Sequence, residues 1–90
     1  MTKPEVLLGS VVRSLAGRDQ GRLFVVTDIL DDQYVLIVDG GLRNLARPKK
    51  KKRKHLRVVS EPVSEVVKGN AFLDHEIRSA LTAIASKEEE

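Results

Sequence analysis

The chain has 90 residues, no cysteine, and 16 Lys or Arg against 13 Asp or Glu, for a net charge of +3. A chain of this length forms one small domain that buries only about 60–65 per cent of its unfolded surface, which leaves little room for a catalytic cleft. The lack of Cys excludes disulfides and thiolate metal sites, and neither terminus carries an apolar run of targeting or membrane-spanning length, so a soluble cytoplasmic protein is expected.

In chain order, Leu7 to Leu15 (LLGSVVRSL) mixes β-branched and apolar residues with polar ones and predicts a first strand, followed by the glycine-rich turn AGRDQG. RLFVVTDIL from Arg22 predicts a second strand, Asp31-Asp32 a turn, and QYVLIVDGG a third strand closed by the hairpin signal Asp39-Gly40. Leu23 to Val26 and Val35 to Val38 are apolar at odd and even positions alike, so both faces of these strands need cover. A meander this small covers both faces by curling into a small barrel with a helix or loop over the remainder. LRNLAR then predicts a short fourth strand and HLRVVSEP a fifth, with Leu56, Val58 and Val59 available to a core. The cations between them are expected as a rim loop over residues 47–57, where Pro48 fits because it cannot donate to a central ladder.

Beyond Ser60 the pattern changes. PVSEVVK suggests a helical turn or two before Gly69. Asp74 is a suitable N-cap for a helix to about Ala85, whose Ile77, Leu81 and Ile84 form one apolar stripe suited to packing on the barrel. Asp74 and Glu76 suit the positive end of that helix. The expected organisation is therefore a mainly β unit over residues 6–60, a helical extension over 61–86 and a frayed acidic tail over 87–90.

The positive charge is local. Between Leu42 and Val59 lie nine Lys or Arg and no acid, while the other 72 residues carry seven cations against all 13 acids. A basic stripe on an acidic body draws polyanions, nucleic acid foremost, although a block of like charge is also compatible with a disordered segment. Lysines follow phosphates without reading bases. If six of the nine cations engaged a single-stranded backbone, log affinity would fall against log salt with a slope of roughly −4. Only Phe24, Tyr34 and Phe72 are aromatic, and the first two lie inside apolar runs, so stacking of splayed bases is poorly provided for.

Enzyme signatures are missing. GRDQGR lacks the spacing and the Lys-Ser/Thr of a phosphate-binding P-loop. Asp28, Asp31, Asp32 and Asp39 read as turn residues rather than paired catalytic carboxylates. His55 and His75 are far apart with no ligand cluster, which disfavours zinc; His55 suits a hydrogen bond within the basic stripe and His75 the first turn of a helix.

Gly9 to Val26 (GSVVRSLAGRDQGRLFVV) resembles a KOW motif, a strand, a loop with a fixed glycine and a second strand. With YVLIVDGGLRNLARPKKKKRKHL the chain is similar, from about Leu8 to Val59, to the small bacterial KOW-domain RNA-binding proteins related to a group of archaeal and eukaryotic large-subunit ribosomal proteins. The resemblance implies an SH3-like barrel, no cofactor, and a translation-related role with structured RNA, ribosomal RNA foremost, and ribosomal proteins as partners. Gly21 matches the fixed glycine, needed for positive φ or close backbone approach, and Gly17 and Gly40 complete the expected turn positions. The expected RNA-binding residues are Arg18, Arg22, Arg43, Arg47, Lys49, Lys50, Lys51, Lys52, Arg53, Lys54, His55 and Arg57. Arg18 and Arg22 flank Asp19, so they either pair with it or reach outward to phosphate, and Arg43 and Arg47 would share one strand face. The other reading is a protein-binding adaptor in transcription elongation or ribosome assembly, less suited to a lysine-rich stripe because interface cores are depleted in Lys.

Overall fold

The computed structural model describes Val6, residues 8–60 and residues 73–88. The helical turns expected at Pro62 to Lys68, the stop at Gly69, and Phe72 lie outside the described residues. Within them the chain is mainly β, with strands β1 (Val11–Ser14), β2 (Leu23–Ile29), β3 (Tyr34–Val38), β4 (Lys49–Lys52) and β5 (Leu56–Ser60), followed by one helix, α1 (Asp74–Glu88). The strands form one antiparallel sheet in the order β4-β3-β2-β1-β5.

Both faces of the central strands are covered, as their continuous apolar runs require. Val12, Phe24, Val26, Val35, Ile37 and Leu56 pack with Val6 on one face. Val11, Val25 and Val38 turn to the opposite face, where Ile77 and Leu81 of α1 close over them with Ile84 alongside. The predicted helix stripe is thus the lid of the second layer. Truncating a side chain such as Phe24, 1% exposed, costs about 3–5 kcal/mol in a site that cannot collapse.

The sheet is curled, with irregular register between Val26 and Asp28 and between Val11 and Val12. Edge strands β4 and β5 are separated in sequence only by the 3-10 turn Arg53–His55, so the two edges approach each other at that end. No ladder joins β4 to β5 among the described residues, and the hydrogen-bonded sheet remains open.

Three expectations are corrected. The ladder of the first strand covers only Val11–Ser14, not Leu7 to Leu15. LRNLAR is not a strand, because its backbone groups are satisfied elsewhere. The Asn44 side chain accepts from Ala46 and Arg47 at 3.1 and 3.0 Å, and the Leu45 N–H donates to Asp74 Oδ1 at 2.8 Å. The expected basic loop 47–57 is instead strand, 3-10 turn and strand, and its lysines are the fourth strand. β3 needs a partner on its outer edge, and Lys49–Lys52 supply it with Tyr34 opposite Lys52 and Ile37 opposite Lys49. Lysine suits such an edge, since its charge discourages pairing with a further chain.

The helix begins differently from expectation. Leu73 takes the cap position, its carbonyl accepting from Ile77 N at 3.0 Å, which frees the Asp74 carboxylate to hold the β3–β4 connection. Gly40 lies under the same contact. With φ of 79° it adopts a left-handed conformation, and a Cβ there would collide with the Asp74 carbonyl and with Arg78 Cγ. The helix continues past Ala85 to Glu88, and residues 89–90 are outside the described part.

Candidate nucleic-acid interface

Side chains alternate across a strand, so four consecutive lysines divide two and two. Lys49 and Lys51 turn toward the β1–β2 loop and converge on Asp19. Lys49 Nζ lies 2.5 Å from Asp19 Oδ2, and Lys51 Nζ lies 3.1 Å from Oδ1 and 2.8 Å from the Ala16 carbonyl. The Ser14 hydroxyl adds a bond to Asp19 Oδ1 at 2.7 Å. Lys51 and Asp19 are buried, at 8% and 7% exposure, so this is an internal clamp between the loop and the edge strand. Burial alone would raise the Asp19 pKa. The bonds from Lys49, Ser14 and Lys51, with the Lys51 charge, outweigh it and hold the carboxyl well below the usual carboxylate range.

Of the two readings of Arg18 and Arg22, the local pair with Asp19 is not formed. Lysines some thirty residues downstream reach the carboxylate instead, and Arg22 pairs with Asp39 at 2.7 Å. Arg18 is exposed on the loop. Gly17 and Gly21 shape that loop with φ of 87° and 89°. At Gly21 a Cβ would meet nothing within 4 Å, so of the two reasons considered for this glycine the backbone conformation is the operative one.

Lys50 and Lys52 project to the other face, where both meet Tyr34. The ammonium of Lys50 is 4.4 Å and that of Lys52 5.8 Å from the ring centroid. Tyr34 is half-buried, and its own position is fixed by Asp31, which accepts from the Gln33 and Tyr34 N–H groups at 2.8 Å each. Those bonds lower the Asp31 pKa. The ring acts as a seat for two ammonium groups and is not an open stacking platform. Phe24 is in the core.

The 3-10 turn continues this edge. Its Arg53 N–H donates to the Gln33 carbonyl at 2.7 Å, and its His55 carbonyl accepts from Leu15 N at 2.8 Å, so the turn is tied to both neighbouring connections. Lys54 is exposed, His55 and Arg53 are partly buried, and the Arg53 Nε is buried without a hydrogen-bond partner. Arg57 is exposed on β5 and lies directly across the ladder from Arg13 on β1. Arg43 and Arg47 are exposed on the β3–β4 connection, a series of turns, so they do not share a strand face as expected. Because Arg22 binds Asp39 and Lys49 binds Asp19, the β1–β2 loop contacts that connection and the first residue of β4.

The structure thus gathers Lys50, Lys52, Arg53 and Lys54 along one edge and removes Lys49 and Lys51 from it. Strand pairing, which the linear sequence does not signal, sets Tyr34 beside Lys50 and Lys52 and Arg13 opposite Arg57. His75 is exposed on the first turn of α1, away in sequence from His55. Among the described residues His, Asp and Glu form no group of three able to hold a metal ion, and no helix is long and apolar enough to cross a membrane. No protein-family model matches the chain.

Proposed function

We propose that this protein binds structured RNA, ribosomal RNA foremost, by laying its lysine-rich edge along the phosphate backbone. The observation that carries the reading is the state of the cations between Leu42 and Val59. Lys49 and Lys51 are consumed by Asp19, and the other seven make no ion pair with a described residue. Lys50, Lys52, Arg53 and Lys54, held on a strand and a tied 3-10 turn, meet a polyanion at low ordering cost, whereas the same charges on a free tail would have to be immobilised on binding.

The β4-β3-β2-β1-β5 order, and the three-residue turn that brings the edge strands together, support an SH3-like, KOW-type barrel as the underlying fold. That fold agrees with the resemblance of Gly9 to Val26 and of the segment through Leu56. On this reading the protein acts in translation, on the ribosome or its assembling parts, in the cytoplasm.

The test is titration of a fluorescently labelled hairpin RNA across a salt series. Seven available cations set an upper bound on the slope of log affinity against log salt of about −5 on an unpaired loop and about −6 on a paired stem. A slope between about −2 and −6 supports phosphate contact by these cations. Binding that is insensitive to salt, or lacking at low salt, overturns the proposal.

A further inference from the structure

Leu42 is 80% exposed, against 45–46% for Leu8, Leu15, Leu30 and Leu73, the other large exposed apolar side chains among the described residues. A single exposed leucine on a loose loop needs no explanation. The turn that carries Leu42, however, is tied on every side. Asp39 Oδ1 accepts from the N–H groups of Gly41 and Arg43 at 2.8 and 3.0 Å, and the Arg43 carbonyl accepts from those of Asp39 and Gly40 at 2.8 and 3.2 Å. Arg22 holds the remaining carboxylate oxygen at 2.7 Å, and Gly40 is seated against the first turn of α1. Ordering a residue costs about 1–2 kcal/mol of conformational entropy, and here that cost is met to hold an isobutyl group out in water. The next side chain is an exposed arginine, and no acid follows until after Val59.

We propose that the Asp39–Arg43 turn is an apolar wedge, with Leu42 packing on the open face of an unpaired nucleobase while Arg43 holds the adjoining phosphate. The inference rests on the RNA-binding reading above and adds to it a preference for RNA with interrupted pairing. Apolar side chains work in this way where stacking is already broken, because a base face left in water gains by contact with hydrocarbon, and the flanking cation sets its depth. The cationic edge supplies affinity for any backbone; the wedge selects helices that carry a bulge or an open loop.

The experiment compares two hairpins of equal length, one fully paired in the stem and one with a two-nucleotide bulge, against the wild type, Leu42→Ala and Leu42→Met. The exposure of Leu42 predicts that all three proteins melt alike. The wild type and Leu42→Met should favour the bulged RNA roughly tenfold, from burial of most of one leucine-sized side chain, and Leu42→Ala should lose that preference while keeping the same salt slope. A preference retained by Leu42→Ala, or none in the wild type while both hairpins bind with a steep salt slope, overturns the wedge and leaves the RNA-binding reading intact. Sedimentation that shows Leu42→Ala abolishing self-association without changing RNA preference assigns the side chain to a protein contact and overturns the wedge as well. Failure of the wild type to bind either hairpin overturns both proposals.

Discussion

Lys49 and Lys51 on one side of β4, and Lys50 and Lys52 on the other, are the same residue in one unbroken run, yet they belong to different parts of the molecule. The first pair is turned to a buried carboxylate and has become part of the fold. The second pair rests on a tyrosine ring, with Lys50 exposed and Lys52 half-buried. A lysine surrounded by an acid, a hydroxyl and a carbonyl gains hydrogen bonds to replace lost hydration, and removing it strands its partner. A lysine over the face of a half-buried ring keeps part of its hydration and stays available to a phosphate. Charge density in a sequence therefore overestimates the charge a surface can offer, here by the two cations that Asp19 withdraws.

The sharpest way to break this division is Lys51→Met, which keeps the aliphatic stem and deletes the ammonium. With Asp19 left short of its buried partner, unfolding in urea should show a loss of about 3 kcal/mol. An unchanged midpoint would mean that the inner pair is dispensable. A second expectation concerns pH. The Asp19 pKa is depressed in the folded state relative to an unfolded value near 3.9, so its contribution is present above about pH 4 and is lost as pH falls toward the folded value. Asp19→Asn should be less stable than wild type at neutral pH, and the two stabilities should converge on acidification; a gap that stays constant down to pH 2 would contradict the clamp.

The outer pair should behave in the opposite way. Lys50→Gln with Lys52→Gln is expected to leave the denaturation midpoint nearly unchanged. The double variant should weaken RNA binding roughly tenfold near physiological salt and reduce the salt slope by about 1.4, the share of two phosphate contacts. A lowered midpoint with unaltered RNA affinity would reverse the assignment of the two faces. The smallest effect is expected for Tyr34→Leu, which removes the seat but not the charges. A loss of about 0.5 kcal/mol in stability, with a salt slope equal to wild type, would identify the ring as support; a changed slope would make it part of the contact itself.

Much of the fold is legible from local pattern. β2 and β3 follow from runs of Val, Ile, Leu and aromatic residues, their turn from Asp31-Asp32, and α1 from the spacing of Ile77, Leu81 and Ile84. The requirement for cover on both faces also follows, since neither strand has a polar side. The identity of the fourth strand does not. Lysine has weak β propensity, and only the unfilled edge of β3 makes Lys49–Lys52 a strand. Asp74 carries a strong capping signal, but its carboxylate serves Leu45 because packing brings the β3–β4 connection to the helix start.

Composition and order along the chain determined that this protein is a small mainly β unit with a helix and a concentrated positive stretch, because those features depend on neighbours a few residues away. Only the tertiary structure decided which cations remain free, since Asp19 and its lysines lie about thirty positions apart and meet through strand pairing. The same folding decided that Leu42 stands out on a tied turn: the hydrogen bonds of Asp39 are local, but the partners that hold the turn in place, Arg22 and α1, come from distant parts of the chain.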